Sequence, residues 1–181
     1  MSQLRVFAET DGSDPITVTR DPALIAGILA SVGVRFERWQ TDAALPTGAS
    51  ADDVMAAYRS EIERLMLEQD YRAMDVISST ADHPDRDALR RKFLNEHTHA
   101  EDEVRFFVAG GGLFTLHLAD QVYALCCEAG DLIGVPSGTR HWFDMGPEPY
   151  FIAIRIFTNP AGWVAQFTGD AIADRFPRYP S

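Results

Sequence analysis

The chain is predicted to be mainly β with α: an antiparallel barrel or sandwich in its second half, with helices gathered mostly in its first. Three observations carry this reading. From His97 to Phe157 short apolar runs recur between glycine turns, the rhythm of an antiparallel barrel or sandwich. Before residue 95, apolar residues recur at helical intervals behind N-capping side chains. Within the β half, His97 and His99 are two residues apart, so in an extended strand both rings project from one face.

Taken in order, Asp11-Gly12-Ser13-Asp14 lacks the remaining ligands of a calcium loop and reads as a turn. Asp21-Pro22 opens a helix, with an N-cap and then proline in the first turn. Leu24, Ile25, Ile28 and Leu29 form its apolar stripe, and Gly33 closes it. Val34 to Trp39 alternates as a strand does. Ser50 caps a longer helix with Asp52 and Asp53 in its first turn and a stripe of Val54, Met55, Tyr58, Ile62, Leu65 and Met66. Tyr71 to Ile77 reads as a continuation of that helix or a kink at Asp70. Asp82-His83-Pro84-Asp85 breaks the pattern, with His83 in a solvated loop, and Asp87 to Phe93 forms a further short helix.

The strands expected after residue 97 are Val104–Val108, Leu113–Leu118, Val122–Cys127, Leu132–Val135, His141–Phe143 and Phe151–Phe157. Gly110-Gly111-Gly112 is read as the turn between the first two. His117 alternates opposite Phe114, Leu116 and Leu118, so it is expected to face outward and is not assigned as a ligand. The tail from Trp163 is aromatic and proline-bearing, and it is expected to pack back across the barrel mouth. One domain over residues 1–181 follows, with residues 1–94 packed on a barrel of residues 95–160 and a tail of residues 161–181.

Composition excludes some partners. Sixteen basic residues against 27 acidic give a net charge of −11, which repels phosphate backbones and anionic lipid. No nucleic-acid or membrane partner is therefore expected, and no apolar run approaches the ~20 residues of a membrane span. Met1 to Asp14 does not read as a secretory signal. The adjacent Cys126 and Cys127 suit small strand residues in a reducing cytoplasm better than a disulfide. The acidic, mostly polar first half is compatible with a monomer.

His97, His99, Glu103 and the later His141, placed after the Pro136-Ser137-Gly138 turn, form a ligand set for one divalent transition metal. No cysteine stands at zinc-finger spacing. Four protein donors leave two positions open on an octahedral ion, enough for a small diol, keto-enol or oxalate-like molecule to chelate. Arg105 and Arg155 suit an anionic substrate. A charge on the Phe151–Phe157 strand needs an anionic partner, which a substrate, Glu103 or a neighbouring carboxylate can supply.

The same residues match the two signatures of the cupin superfamily: His97, His99, Glu103 and Gly110 in the first, Gly130, Pro136, Gly138 and His141 in the second. Arg91 and Met145 depart from the usual glycine and asparagine at the signature ends, away from the ligands. Glu96-His97 through Asp102-Glu103-Val104-Arg105-Phe106, and Gly130-Asp131-Leu132-Ile133-Gly134-Val135-Pro136 leading to His141-Trp142-Phe143, resemble the acireductone dioxygenase family within it. The resemblance implies a cupin-type barrel (a double-stranded β-helix, or jelly roll). It implies one Fe2+ or Ni2+ per chain on His97, His99, Glu103 and His141. Its substrates would be dioxygen and 1,2-dihydroxy-3-keto-5-methylthiopentene, an acireductone of methionine salvage. Iron would give formate and 2-keto-4-methylthiobutyrate; nickel would give formate, carbon monoxide and methylthiopropionate. Arg105 and Arg155 would hold the enediolate, with Phe93, Phe143 and Trp163 forming the apolar wall. Two rivals share the ligands: another small metal-dependent cupin enzyme, such as an isomerase or a different dioxygenase, and a non-catalytic ligand-binding cupin.

Overall fold

A computed structural model describes residues 1–40, 45, 49–68, 71–159 and 164–180. In chain order the elements are β1 (Gln3–Ala8), β2 (Thr17–Thr19), α1 (Pro22–Ala30), β3 (Arg35–Arg38), α2 (Ala51–Ala57), α3 (Arg59–Glu68), β4 (Ala73–Ser79), α4 (Arg86–Leu94), β5 (His97–Thr98), β6 (Glu103–Leu118), β7 (Gln121–Glu128), β8 (Asp131–Val135), β9 (Arg140–Asp144), β10 (Phe151–Phe157) and β11 (Gln166–Phe167). The mainly β class with helices holds. Pairing is antiparallel throughout, in two sheets that share one strand: β11-β5-β9-β6-β7-β1-β2, and β4-β10-β6-β8-β3.

That shared strand departs from expectation. Gly110-Gly111-Gly112 is no turn; β6 runs through it for 16 residues. Its first half pairs with β10 and β8 and its second with β7 and β9. The crossing is made by a bulge, where the register against β10 skips Val108, and by Gly110 at φ +61°, a left-handed conformation that costs glycine little. A Cβ on Gly110 would also overlap the Tyr150 carbonyl. Glycines that read as punctuation serve here as the bend that lets one strand belong to two sheets.

Between the sheets lies a core of Phe107, Phe114, Leu116, Ile133, Phe143 and Phe151, closed on one side by Ile25 and Leu29 of α1. Asp21 caps α1 by accepting from the Ala23 and Leu24 amides, and Gly33 at φ +79° turns the chain out of it. Leu24, assigned to the stripe, is instead exposed. The helix behind Ser50 breaks at Tyr58 into α2 and α3, whose Val54, Tyr58, Ile62 and Leu65 cover the outer residues Val104, Phe106, Ile154 and Ile156.

The first half is more β than its periodicity suggested. β1 and β2 extend the first sheet, and Tyr71 to Ile77, read as helix, lies largely in strand β4. β4 pairs with β10 over seven residues from Ala73↔Phe157 to Ser79↔Phe151. Met74 and Val76 then pack toward α2 and α3 while Ile77 reaches the inter-sheet core, an arrangement that only the partner strand specifies. His117 corrects a second expectation. It does project from the outer face of its sheet, but that face is covered by Ile172, Ala173 and Phe176, and the ring is buried. Its Nδ1 is 2.7 Å from Glu96 Oε2 and its Nε2 is 2.9 Å from Glu9 Oε2. Both cysteines are free, and no helix among the described residues is long and apolar enough to cross a membrane.

Candidate metal centre

Four strands meet at one end of the space between the sheets. β5 contributes His97, which sits opposite His141 of β9 and opposite Phe167 of β11. His99 follows as the chain leaves β5, and Glu103 is the first residue of β6. One donor atom from each of His97, His99 and His141 can be chosen so that all lie within 4.8 Å of one another. Glu103 Oε2 lies 3.4 Å from His99 Nε2 and 3.9 Å from His141 Nε2. All four side chains are buried, Glu103 and His141 to 1 % exposure.

The ring orientations are set from behind. His97 Nδ1 lies 2.7 Å from the Asn95 carbonyl, His99 Nδ1 3.2 Å from that of Val164, and His141 Nδ1 2.8 Å from that of Thr139. A carbonyl oxygen only accepts, so each Nδ1 must carry the proton and each Nε2 must bear the lone pair. This is the pattern by which outer hydrogen bonds orient metal-binding imidazoles. Burial lowers the pKa of His97 and takes His141 down to about 3, so both rings are neutral at physiological pH.

Glu103 is the complementary case. Burial opposes its charge, but Arg105 foremost outweighs that and holds the carboxyl at about 2. Arg105 donates to Glu103 Oε1 from Nε at 3.1 Å and Nη2 at 2.7 Å. The other oxygen, Oε2, has no hydrogen-bond partner, and neither does His141 Nε2. Two buried acceptors left unsatisfied at the same point cost a few kcal/mol unless a cation lies between them. Three imidazole nitrogens and a carboxylate oxygen therefore fit a divalent transition ion on donor chemistry as well as on placement.

Beside these residues opens a cavity of about 500 Å³. Arg105 and Arg155 both line it and stand directly opposite each other across the β6–β10 ladder. Like charges so placed repel, and each is offset by its own carboxylate. Arg105 has Glu103, and its guanidinium lies 5.0 Å from the Phe114 ring centre and 5.1 Å from that of Phe143. Arg155 is held by Asp75 of β4, through Nε at 3.0 Å and Nη2 at 2.6 Å. Asp75 is the neighbouring carboxylate that the sequence left open as a partner for Arg155. Asp75 is not evident from sequence because its segment reads as a continuation of the preceding helix; the β-branched Val76-Ile77 pair is the signal available.

The cavity's apolar side is formed by Phe93 of α4 and Phe143 of β9, 6.4 Å apart between ring centres, together with Leu89, Val164 and Phe167. Gly112 sits under Phe143 so closely that a Cβ would overlap the ring. Trp163 lies outside the described residues. The tail from Val164 does return over this end of the molecule, where Phe167 and Val164 were not singled out beforehand. Neither side chain carries chemistry; the pairing of β11 with β5 places Phe167, and the contact of the Val164 carbonyl with His99 places Val164.

Comparisons with known proteins converge. The ARD/ARD' family model matches residues 3–165. An acireductone dioxygenase of Stutzerimonas stutzeri is 60% identical over 178 residues, 98% of each chain. One from Pseudomonas aeruginosa is 58% identical over 177 residues, again 98% of each chain. The solved structure of acireductone dioxygenase from Bacillus anthracis, with a cadmium ion in its active centre, superposes with a TM-score of 0.81 at 31% identity, covering 92% of this chain and 98% of that one.

Proposed function

The chain belongs to the ARD/ARD' family, and from that premise we propose that it oxidises an acireductone with dioxygen at a divalent metal held by His97, His99, Glu103 and His141. The single observation that carries the ligand assignment is the meeting of three lone-pair-bearing imidazole nitrogens with the unsatisfied Oε2 of Glu103 in a buried, walled space. The substrate is 1,2-dihydroxy-3-keto-5-methylthiopentene, and the ion is iron or nickel. Bound there, such an ion supplies a Lewis acid for the adjacent oxygens of an enediolate.

The chain's own residues do the rest. Glu103, ionised down to about pH 2, and the neutral rings of His97 and His141 present their donor atoms without first having to shed protons. Arg105 and Arg155 face the cavity as paired cations whose charge an enediolate can share, and each guanidinium is fixed by two hydrogen bonds before substrate arrives, Arg105 to Oε1 of Glu103 alone and Arg155 to both oxygens of Asp75. Phe93 and Phe143, with Phe167 and Val164, enclose the methylthio end and exclude water from it. The family resemblance assigns Trp163, outside the described residues, to the same role. Nitrogen and oxygen donors accept iron and nickel alike, so the donor set does not choose between the two product sets. The protein acts as a cytoplasmic monomer.

The test is reconstitution. Metal-free protein is loaded with Fe2+ alone or Ni2+ alone, and oxygen uptake and products are followed with the acireductone. Iron should give formate and 2-keto-4-methylthiobutyrate, and nickel should give formate, carbon monoxide and methylthiopropionate. Turnover of substrate without oxygen would point to an isomerase instead, and ligand binding with no turnover by either form would point to a binding module.

A further inference from the structure

Lys92 is the only lysine among the 181 residues; every other basic side chain is an arginine. It lies in the last turn of α4, next to Phe93, and its exposed side chain lines the 500 Å³ cavity. The two arginines that line the cavity are committed, and Arg91, beside Lys92 in the same turn, does not line it. Arg105 is paired to Glu103, Arg155 to Asp75, and Arg90 of the same helix to Asp144 through Nε at 2.7 Å and Nη2 at 3.1 Å. Among the described residues no carboxylate is within salt-bridge distance of Lys92. The helix C-terminus beneath it favours positive charge.

An anion approaching this molecule meets a net charge of −11. Long-range electrostatics therefore work against association, and a local cation at the mouth must offset them within a Debye length of about 8–10 Å. An ammonium on a flexible stem suits that task better than a guanidinium locked in a fork, because it can meet an oxyanion outside and follow it in.

Resting on the functional reading above, we propose that Lys92 is the anion-recruiting residue of this pocket: it meets the oxyanion of the incoming enediolate at the mouth and passes it to Arg105 and Arg155. Its contribution is to association, so it appears in kcat/KM and depends on salt. A lysine that merely stabilised the end of α4 would change Tm and leave that salt dependence alone.

The experiment compares metal-loaded wild type with Lys92→Gln and Lys92→Arg over a range of ionic strength. Lys92→Gln should lower kcat/KM about 3- to 10-fold at low salt, with the loss shrinking as salt rises and falling on kcat/KM rather than kcat. Lys92→Arg should recover most of it. Equal kcat/KM for wild type and Lys92→Gln at low salt, or a loss that salt does not change, overturns the proposal. Wild-type turnover in the same series reports separately on the acireductone reading. A second measurement does not need turnover. The sole lysine is labelled with pyridoxal phosphate and fixed with borohydride, with and without oxalate as the competing small anion, and peptides are mapped. Oxalate should slow labelling at Lys92 but not at the Met1 amine. Equal rates at Lys92 would count against the proposal whatever the substrate proves to be.

Discussion

Replacing Arg105 by methionine in the metal-free protein isolates the electrostatics on which the site rests. Glu103 is buried, and its carboxyl is held at about 2 instead of 4.5 chiefly because Arg105 outweighs the cost of burial. At about 1.36 kcal/mol per pH unit, that depression is worth roughly 3 kcal/mol of folding free energy at neutral pH. Breaking a buried pair by removing one partner costs about 3–5 kcal/mol, so the two figures agree. The sign follows from the depressed value: the contribution is complete above pH 4.5 and is lost as pH falls from 4.5 toward 2. Arg105→Met should therefore be less stable than wild type by about 3 kcal/mol at pH 7, some 6–12 °C in Tm for a chain of this size. The gap should narrow steadily below pH 4.5. Urea titrations of both proteins, freed of metal, between pH 7 and pH 3 measure this directly. A difference under about 0.5 kcal/mol at pH 7, or one that persists undiminished at pH 3, would refute the reasoning.

Further outcomes follow from the same geometry. Alanine in place of His97, His99 or His141 should each remove most bound metal by elemental analysis and abolish oxygen uptake, and full turnover after chelation would contradict the metal centre. Asp75→Asn frees the Arg155 guanidinium from its bidentate hold, so kcat/KM should fall about tenfold with metal content unchanged; unaltered kinetics would remove Asp75 from substrate positioning. Gly112→Ala drives a methyl into the Phe143 ring and should cost about 1–3 kcal/mol in thermal unfolding, and a neutral effect would show that the ring yields.

The donor residues were legible because metal chemistry restricts residue type sharply. Two imidazoles at alternate positions, a glutamate and a third imidazole after a Pro-x-Gly turn are a rare combination, and the resemblance carried by those motifs extended the reading to the fold. Elements with strong local signals were legible as well. Asp21 caps α1 and Ser50 caps α2 with side-chain hydrogen bonds that the residues themselves specify. Residues 71–77 were not legible, since their strand state depends on pairing with β10, about 80 positions away along the chain.

His117 shows the limit most clearly. Alternation placed it on the right face of its strand but carried no information about the tail that covers that face. The same holds for Arg155. Its charge was evident from the residues, as was the local alternation that sets Glu103 beside Arg105 on one strand, whereas Asp75 became the partner of Arg155 only through the ladder that β4 and β10 form. The sequence by itself determined the donor atoms, the caps and the alternation of each strand, because these depend on residue type and on neighbours within a few positions. Tertiary structure decided which face was covered, which acid neutralised which base and where the cavity opened. Those are relations between segments far apart in the chain, set by strand register and by one strand bent at Gly110 into two sheets.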